Sequence, residues 1–189
     1  FNTGSNIQSA PILDAAGRIY VASTNRNVYK VHDNGTAGNP LWVNSTSFSG
    51  GGSFSFNSGS SPALSADEQV LYLGDADGNV AALDTTTGID NWGGTGQVTG
   101  EVRGHFAVGP NDNVYFASTD QRVFAFQDNG TSATELGSFQ VTSNFTRQSP
   151  TVNASNQVFF TSGGGIVYAL DGTNPGSWGN STGKPSIFP

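Results

Sequence analysis

Few side chains in this 189-residue sequence are spaced for chemistry, and they fall into three groups. The run Asp75-Ala76-Asp77-Gly78-Asn79 alternates carboxylate and amide side chains, as a loop that wraps Ca2+ does. Asp-Gly is equally the dipeptide of a tight hairpin turn. The matching places elsewhere in the chain read Asn25-Arg26-Asn27, Asp120-Gln121-Arg122 and Gly163-Gly164-Gly165, so we read Asp75, Asp77 and Asn79 as a turn first and as metal ligands second. Arg103 and Arg147 occupy equivalent places three residues before a strand, with His105 and Gln148 beside them. Together they would form an anion or acidic-glycan site, unless Glu101 and other carboxylates pair with them. Finally, Asn34, Asn44, Asn129, Asn144, Asn153 and Asn180 each open an N-x-S/T sequon. With 18 Asn and 40 Ser plus Thr in the chain, chance alone gives about four, so six carries little weight.

What is missing narrows the chemistry further. The sequence holds no Cys, which removes disulfides, thiolate nucleophiles and thiolate metal sites together. Its two His, His32 and His105, stand at unrelated places and do not suggest a shared metal. No catalytic set is recognised. The formal charge of −7 with seven Lys and Arg argues against nucleic acid, whose phosphates demand a basic footprint, and against an anionic membrane surface. No apolar run approaches the roughly 18 residues that span a bilayer. Sparse Lys, abundant Ser and Thr, and the lack of Cys and Met suit an exported protein at the cell exterior or in the periplasm, from which an upstream segment has been removed.

The elements that must position these residues recur in order. Pro11, Pro62, Phe106 and Pro150 open four units; Tyr20, Tyr72, Tyr115 and Phe159 follow, then Val28, Val80, Val123 and Val167, then Asp33, Asp84, Asp128 and Asp171. The period is 43 to 52 residues, and Trp42, Trp92 and Trp178 close three of the units. A repeat of this length marks stacked supersecondary units that bury their apolar faces only against one another. Within the second unit, Pro62 to Leu64, Gln69 to Gly74, Asn79 to Asp84 and Asn91 to Gly94 read as strands separated by turn signals. The same pieces recur in the first unit as Pro11 to Leu13, Arg18 to Ala22, Asn27 to His32 and Leu41 to Asn44. Four short antiparallel strands per unit of about 44 residues describe the blade of an all-β propeller, with blades roughly at 5–46, 57–96, 102–142 and 146–182. Four repeats fit a small four-bladed ring or part of a larger propeller.

The stretch Ala82-Leu83-Asp84-Thr85-Thr86-Thr87-Gly88-Ile89-Asp90-Asn91-Trp92 resembles, position by position, the A-x-D-x-x-T-G-x-x-x-W docking motif of quinoprotein-like (PQQ-repeat) β-propellers. Degenerate copies run from Val31-His32-Asp33 to Trp42, from Ala169-Leu170-Asp171 to Trp178, and from Phe124-Ala125-Phe126-Gln127-Asp128 to Leu136, where Trp is expected. The resemblance covers essentially the whole chain. It implies that Trp42, Trp92 and Trp178 bury their rings between blades and that Asp84 and Gly88 shape the turn that goes with them. Catalytic members hold pyrroloquinoline quinone and Ca2+ on the propeller axis, often above a vicinal Cys pair. This chain lacks that pair and a recognisable metal cluster, so no cofactor is expected. Non-catalytic relatives, among them an outer-membrane assembly lipoprotein, use the repeat for protein contacts.

Two irregularities point to partners. An insertion delays the second unit and carries Phe48, Phe54 and Phe56 in a Ser-, Gly- and Phe-rich run, which reads as a contact loop or as a cover for a gap in the wall. Phe1 to Gly4 reads as the tail of an outer fourth strand, yet the last blade already has a candidate fourth strand around Trp178, so two segments would compete for one slot. The chain is then a window on a longer propeller, or donates a strand to a neighbour, or closes an eight-bladed ring with a second chain. The sequence thus supports a non-catalytic extracellular structural or interaction propeller, self-assembling into oligomers or filaments by strand addition at blade edges. Its alternatives are a ligand- or glycan-binding propeller using the channel mouth, and a fragmentary or degenerate quinoprotein dehydrogenase.

Overall fold

The structure, a computed structural model, describes residues 1–44, 60–141 and 149–180. Phe48, Phe54, Phe56, Asn144, Arg147 and Gln148 lie outside the described residues, as does the side chain of Asn180. The chain folds into four consecutive antiparallel sheets, each a meander whose strands follow sequence order. Blade one comprises β1 (Ile12–Leu13), β2 (Arg18–Ser23), β3 (Asn27–Asp33) and β4 (Gly38–Asn44). Blade two comprises β5 (Ala63–Leu64), β6 (Val70–Gly74), β7 (Asn79–Asp84) and β8 (Gly96–Gln97). Blade three comprises β9 (Val102–Val108), β10 (Asn113–Ser118), β11 (Arg122–Asp128) and β12 (Ala133–Gln140). Among the described residues blade four has three strands, β13 (Thr151–Val152), β14 (Gln157–Thr161) and β15 (Val167–Asp171), followed by a 3-10 helix, Pro175–Asn180.

The two middle strands of each blade alternate their apolar side chains between the preceding and the following blade, because successive residues of a strand point to opposite faces. Tyr20, Ala22 and Val28 of blade one thus meet Leu71, Leu73, Ala81 and Leu83 of blade two. Tyr72, Val80 and Ala82 of blade two meet Val114, Phe116, Phe124 and Phe126 of blade three. Tyr115, Ala117, Val123 and Ala125 of blade three meet Val158, Phe160 and Tyr168 of blade four. The repeating Tyr and Val positions are therefore the side of each blade that faces its successor. Each fully buried ring or branched side chain contributes about 1.5–3 kcal/mol, so the seams carry most of the stability.

The turn between second and third strands has one left-handed residue in every blade, at Arg26, Gly78, Gln121 and Gly165. Glycine holds that conformation without cost. In blade two it is required twice over, since a side chain on Gly78 would also run into the Val98 carbonyl.

Three sequence expectations change. Asn91 to Gly94 is a turn rather than a strand; the Asp90 carboxylate gathers the N–H groups of Ala82, Trp92 and Gly94 there, and the fourth strand comes later as β8. The segment around Trp178 is the 3-10 helix, so it does not complete blade four. Phe1 to Gly4 forms no strand. It lies instead on blade one, with the Phe1 ring edge-on to Tyr29 at 5.3 Å and the Thr3 carbonyl accepting from Asn25 Nδ2 and Tyr29 Oη.

Candidate functional site

The residues of the docking motif meet at the seams, and they do so across two blades at once. The Asp84 carboxylate accepts from the backbone N–H of Thr86 and Thr87 and from the Thr87 hydroxyl, closing the loop that ends in Gly88. Burial acts to raise the Asp84 pKa, but these Thr hydrogen bonds outweigh it and hold the group below the usual carboxylate value. That loop receives the Trp of the preceding blade. Trp42 Nε1 donates to the Thr85 carbonyl at 2.9 Å, Asn44 Nδ2 donates to the Gly88 carbonyl, and the Trp42 ring lies so close to Gly88 that a Cβ there would touch it at 2.9 Å. Gly88 also has a φ of +76°, so both its backbone and the ring above it exclude a side chain.

The other half of the motif reaches forward. Trp92 is wholly buried, with its ring 5.7 Å from Tyr72 and 6.4 Å from Phe126. Its Nε1 donates to Asp128 Oδ1, while the Tyr72 hydroxyl donates to Asp128 Oδ2. One carboxylate thus satisfies the two polar atoms that this aromatic seam would otherwise bury unpaired. Burial, followed by the neighbouring Asp128, pushes the Tyr72 hydroxyl pKa up.

Blade three departs from the pattern. Its strand position equivalent to Trp42 is Gly137, since Trp42 pairs with Lys30 as Gly137 pairs with Ala125, and Leu136 is the bulged residue before it. A side chain on Gly137 would strike the Pro175 carbonyl at 2.2 Å, so the bare glycine is what lets the 3-10 helix lie across β12. Trp178 then fills the third seam, 6.0 Å from the Tyr115 ring and donating Nε1 to the Asp171 carbonyl at 2.8 Å. The partners match those of the other seams: a Tyr of the earlier blade and the end of the third strand of the later one, or the residue just after it. Trp178 therefore serves the joint between blades three and four rather than closing blade four.

Lys30 is an exception inside the first seam. It stands where the later blades carry Ala82, Ala125 and Ala169, is buried, donates Nζ to the Thr85 carbonyl and lies 5.4 Å from the Tyr20 ring centroid. Burial lowers its pKa. Nearby, the Tyr20 hydroxyl donates to Asp14, and burial together with that carboxylate raises it to about 12.

The inner strands hold the remaining candidates. Backbone-to-serine bonds join blades along this rim: Ala10 N–H donates to Ser61 Oγ, and His105 N–H to Ser149 Oγ. The His105 side chain is exposed, and Arg103 places both Nε and Nη2 on Glu101 Oε2, at 2.9 and 2.6 Å. Arg103 is thus engaged locally, in the ion pair that the sequence left open. Asp75 is fully buried, and its oxygens accept from the N–H groups of Asp77 and Asn79 and from Asn79 Nδ2, while Asp77 is exposed. The sequon residues separate by burial. Asn34, Asn129 and Asn153 are exposed in turns. Asn44 is buried with its amide nitrogen committed to Gly88, so a glycan on that nitrogen does not fit the folded seam. An open groove of about 600 Å3 between blades two and three is lined by Asp77, Gln97, Thr99, Arg122, Phe124 and Glu135. Sequence reasoning missed it, because its walls come from a turn and the outer strand of one repeat and from the last two strands of the next.

A family model described as outer membrane protein assembly factor BamB matches residues 2–174, nearly the whole described chain. The chain belongs to that family. Its repeat is the PQQ-like propeller repeat, as the docking motif implied. BamB from Moraxella catarrhalis has the same fold, with a TM-score of 0.67 and 21% identity over 93% of this chain and 51% of that one. This chain therefore spans about half the length of that relative. The computationally designed protein Ika4 matches with a TM-score of 0.66 and 11% identity, over 90% of this chain and 93% of its own. A chain in a mitotic checkpoint complex matches with a TM-score of 0.63 and 15% identity, over 87% and 48%. At these identities the likeness shows the fold. No curated protein matches the sequence.

Proposed function

We propose that this BamB-family propeller is a non-catalytic interaction module that works outside the cytoplasm and associates through the outer face of blade four. One observation carries the reading: among the described residues blade four has three strands, which makes β15 its edge and leaves Val167 49% exposed, where blades one to three each have a fourth strand. An edge of this kind binds by accepting a further strand. The family's description as an assembly factor agrees with a role in holding partners. The chemistry of the side chains points the same way, because Asp84, Asp128 and Asp75 hold backbone and aromatic groups in place and Arg103 is paired with Glu101. Nothing in this set offers pyrroloquinoline quinone or Ca2+ a prepared site, and the reading carries no cofactor. A glycan or anion site at the channel mouth has less behind it, since Arg103 is already engaged. Among the described residues no helix is long and apolar enough to cross a membrane, which leaves location to the family and the Cys-free composition.

Sedimentation velocity over a range of concentrations tests the association: species heavier than the 19.6 kDa chain are expected, and a single monomeric species throughout overturns it. Adding pyrroloquinoline quinone with Ca2+ should leave the melting temperature unchanged. A rise would show linked binding and reopen the dehydrogenase reading.

A further inference from the structure

The groove between blades two and three lies where the outer strand of blade two, β8, has 2 residues and that of blade three, β12, has 8. Arg122, Phe124 and Phe126 alternate onto one face of β11, the face whose Phe rings pack against blade two. Glu135 stands opposite Phe126 on β12 and so shares that face. From Arg122 to Phe126 the strand advances about 13 Å, which sets a cationic position and an anionic one at opposite ends of the groove. Asp77 and the segment from Gln97 to Gly100 supply the blade-two side.

The charges in this groove are placed but not paired. Arg122 Nε donates to Gln140 Oε1 at 3.0 Å, and its two Nη groups have no partner among the described residues. The ion pairs found among those residues, Asp14 with Arg18 and Glu101 with Arg103, lie elsewhere, so the Asp77 and Glu135 carboxylates also stand free of a cation. All three side chains are exposed. Their backbones are nevertheless fixed on the blade-two and turn sides, since the Asp77 N–H donates to buried Asp75 and the Arg122 N–H donates to Asp120 Oδ1, whose other oxygen takes the Thr99 hydroxyl. Opposite charges thus share one groove without meeting.

We propose that this groove binds an extended peptide segment of a partner, about four residues long, with a Lys or Arg at one end. Glu135 takes the cationic side chain. At the other end the Arg122 Nη groups donate to a peptide carbonyl, and Asp77 on the blade-two side accepts a peptide N–H. The volume of about 600 Å3 falls within the roughly 300–1,000 Å3 of ligand clefts. A sugar fits less well, because Phe124 is only 3% exposed and offers no ring face for stacking. A nucleic-acid strand would bring its phosphates against Asp77 and Glu135. The lining comes from blades two and three, so this surface is distinct from the outer face of blade four.

Capped tetrapeptides of Ser and Ala with Lys at the first or the last position are the probes, titrated into the full chain while two-dimensional amide NMR spectra are recorded. Saturable shifts centred on Gln97 to Gly100, Arg122 to Phe124 and Glu135 are the expected result with one of the two peptides. Glu135→Gln and Arg122→Gln, both at exposed positions, should each weaken that binding by about fivefold, the upper end for an exposed ion pair, with the melting curve held. Glu135→Lys should reverse the preference, so that the matching peptide with Glu in place of Lys binds instead. No shift with either peptide, shifts centred elsewhere, or an affinity indifferent to both Gln variants overturns the proposal. Maltotriose producing the same shifts and displacing the peptide overturns it as well and assigns the groove to glycans. The sedimentation result reads the blade-four association separately, so either surface can fail without the other.

Discussion

The seam between blades two and three and the outer face of blade four are built from the same repeat, yet they end in opposite states. In the seam, Tyr72, Val80, Trp92, Phe116 and Phe126 are all but fully buried and Asp128 answers both polar ring atoms. On blade four, Val167 stands in the place of Val80 and is half exposed, and no Trp from its own repeat covers it. The difference lies in where the fourth segment goes. Blade two keeps its Trp for the next seam, whereas blade four surrenders its Trp to the previous one, whose own strand offers Gly137. A repeat unit therefore does not complete itself: it is finished by what its neighbours leave free.

That comparison can be broken first at its strong side. Trp92→Ala should destabilise the chain by about 3–5 kcal/mol, the cost of emptying a packed aromatic site. Urea unfolding measures it, and a loss below about 1 kcal/mol would mean the second seam is not the main support. Gly137→Val attacks the weaker side by overpacking, at about 1–3 kcal/mol. It should lift the 3-10 helix from β12 and shift Trp178 fluorescence toward the solvent-exposed range; unaltered emission would show that the helix is held elsewhere. Tyr115→Phe removes the hydroxyl that lies 3.1 Å from the Gly172 carbonyl and 3.2 Å from Asn156 Oδ1, at a cost of about 1 kcal/mol. An unchanged urea midpoint would mean that the hydroxyl contributes nothing to the third seam.

Much of this architecture was legible because the signals are local. The Asp84-to-Trp92 motif closes its turn within four residues, so the Thr and Gly positions could be read from spacing alone. The alternation of Tyr72 and Val80 with Leu71 and Leu73 follows from the pleat. The fate of Trp178 was not legible, since it depends on a glycine some forty residues earlier that leaves room on another sheet. The fourth strand of blade two was misplaced for a related reason: Asp90 binds three backbone N–H groups and converts the expected strand into a turn. Of the candidate site, the Arg103 to Glu101 pair was foreseeable as neighbours in sequence. The open groove beside Arg122 and Glu135 needed the blades to be stacked before it existed.

The smallest effect expected is on acid stability, and it too compares the two regions. Thr hydrogen bonds hold Asp84 in blade two and Asp171 in blade four below the ordinary value of 3.8, against the opposing pull of burial that is the larger single influence at Asp84. A carboxylate whose folded pKa is depressed binds fewer protons folded than unfolded, so its stabilisation is present above 3.8 and is lost as pH falls through and below that value. Asp90 runs the other way, because burial raises its pKa and protonation relieves the cost. Asp84→Asn and Asp171→Asn should each flatten the fall in melting temperature on acidification, and Asp90→Asn should steepen it. Identical acid limbs for all three would contradict the hydrogen-bonding roles assigned to them.

The central claim is that Trp178 docks on blade three and leaves Val167 of blade four exposed. Nuclear Overhauser contacts from the Trp178 indole test it most directly, and 19.6 kDa is within reach of that experiment. Cross-peaks to the Tyr115 ring and the Leu136 side chain are the predicted result. Cross-peaks to Val167 and Ala169 in their place would put the indole on blade four's own outer face and contradict the account.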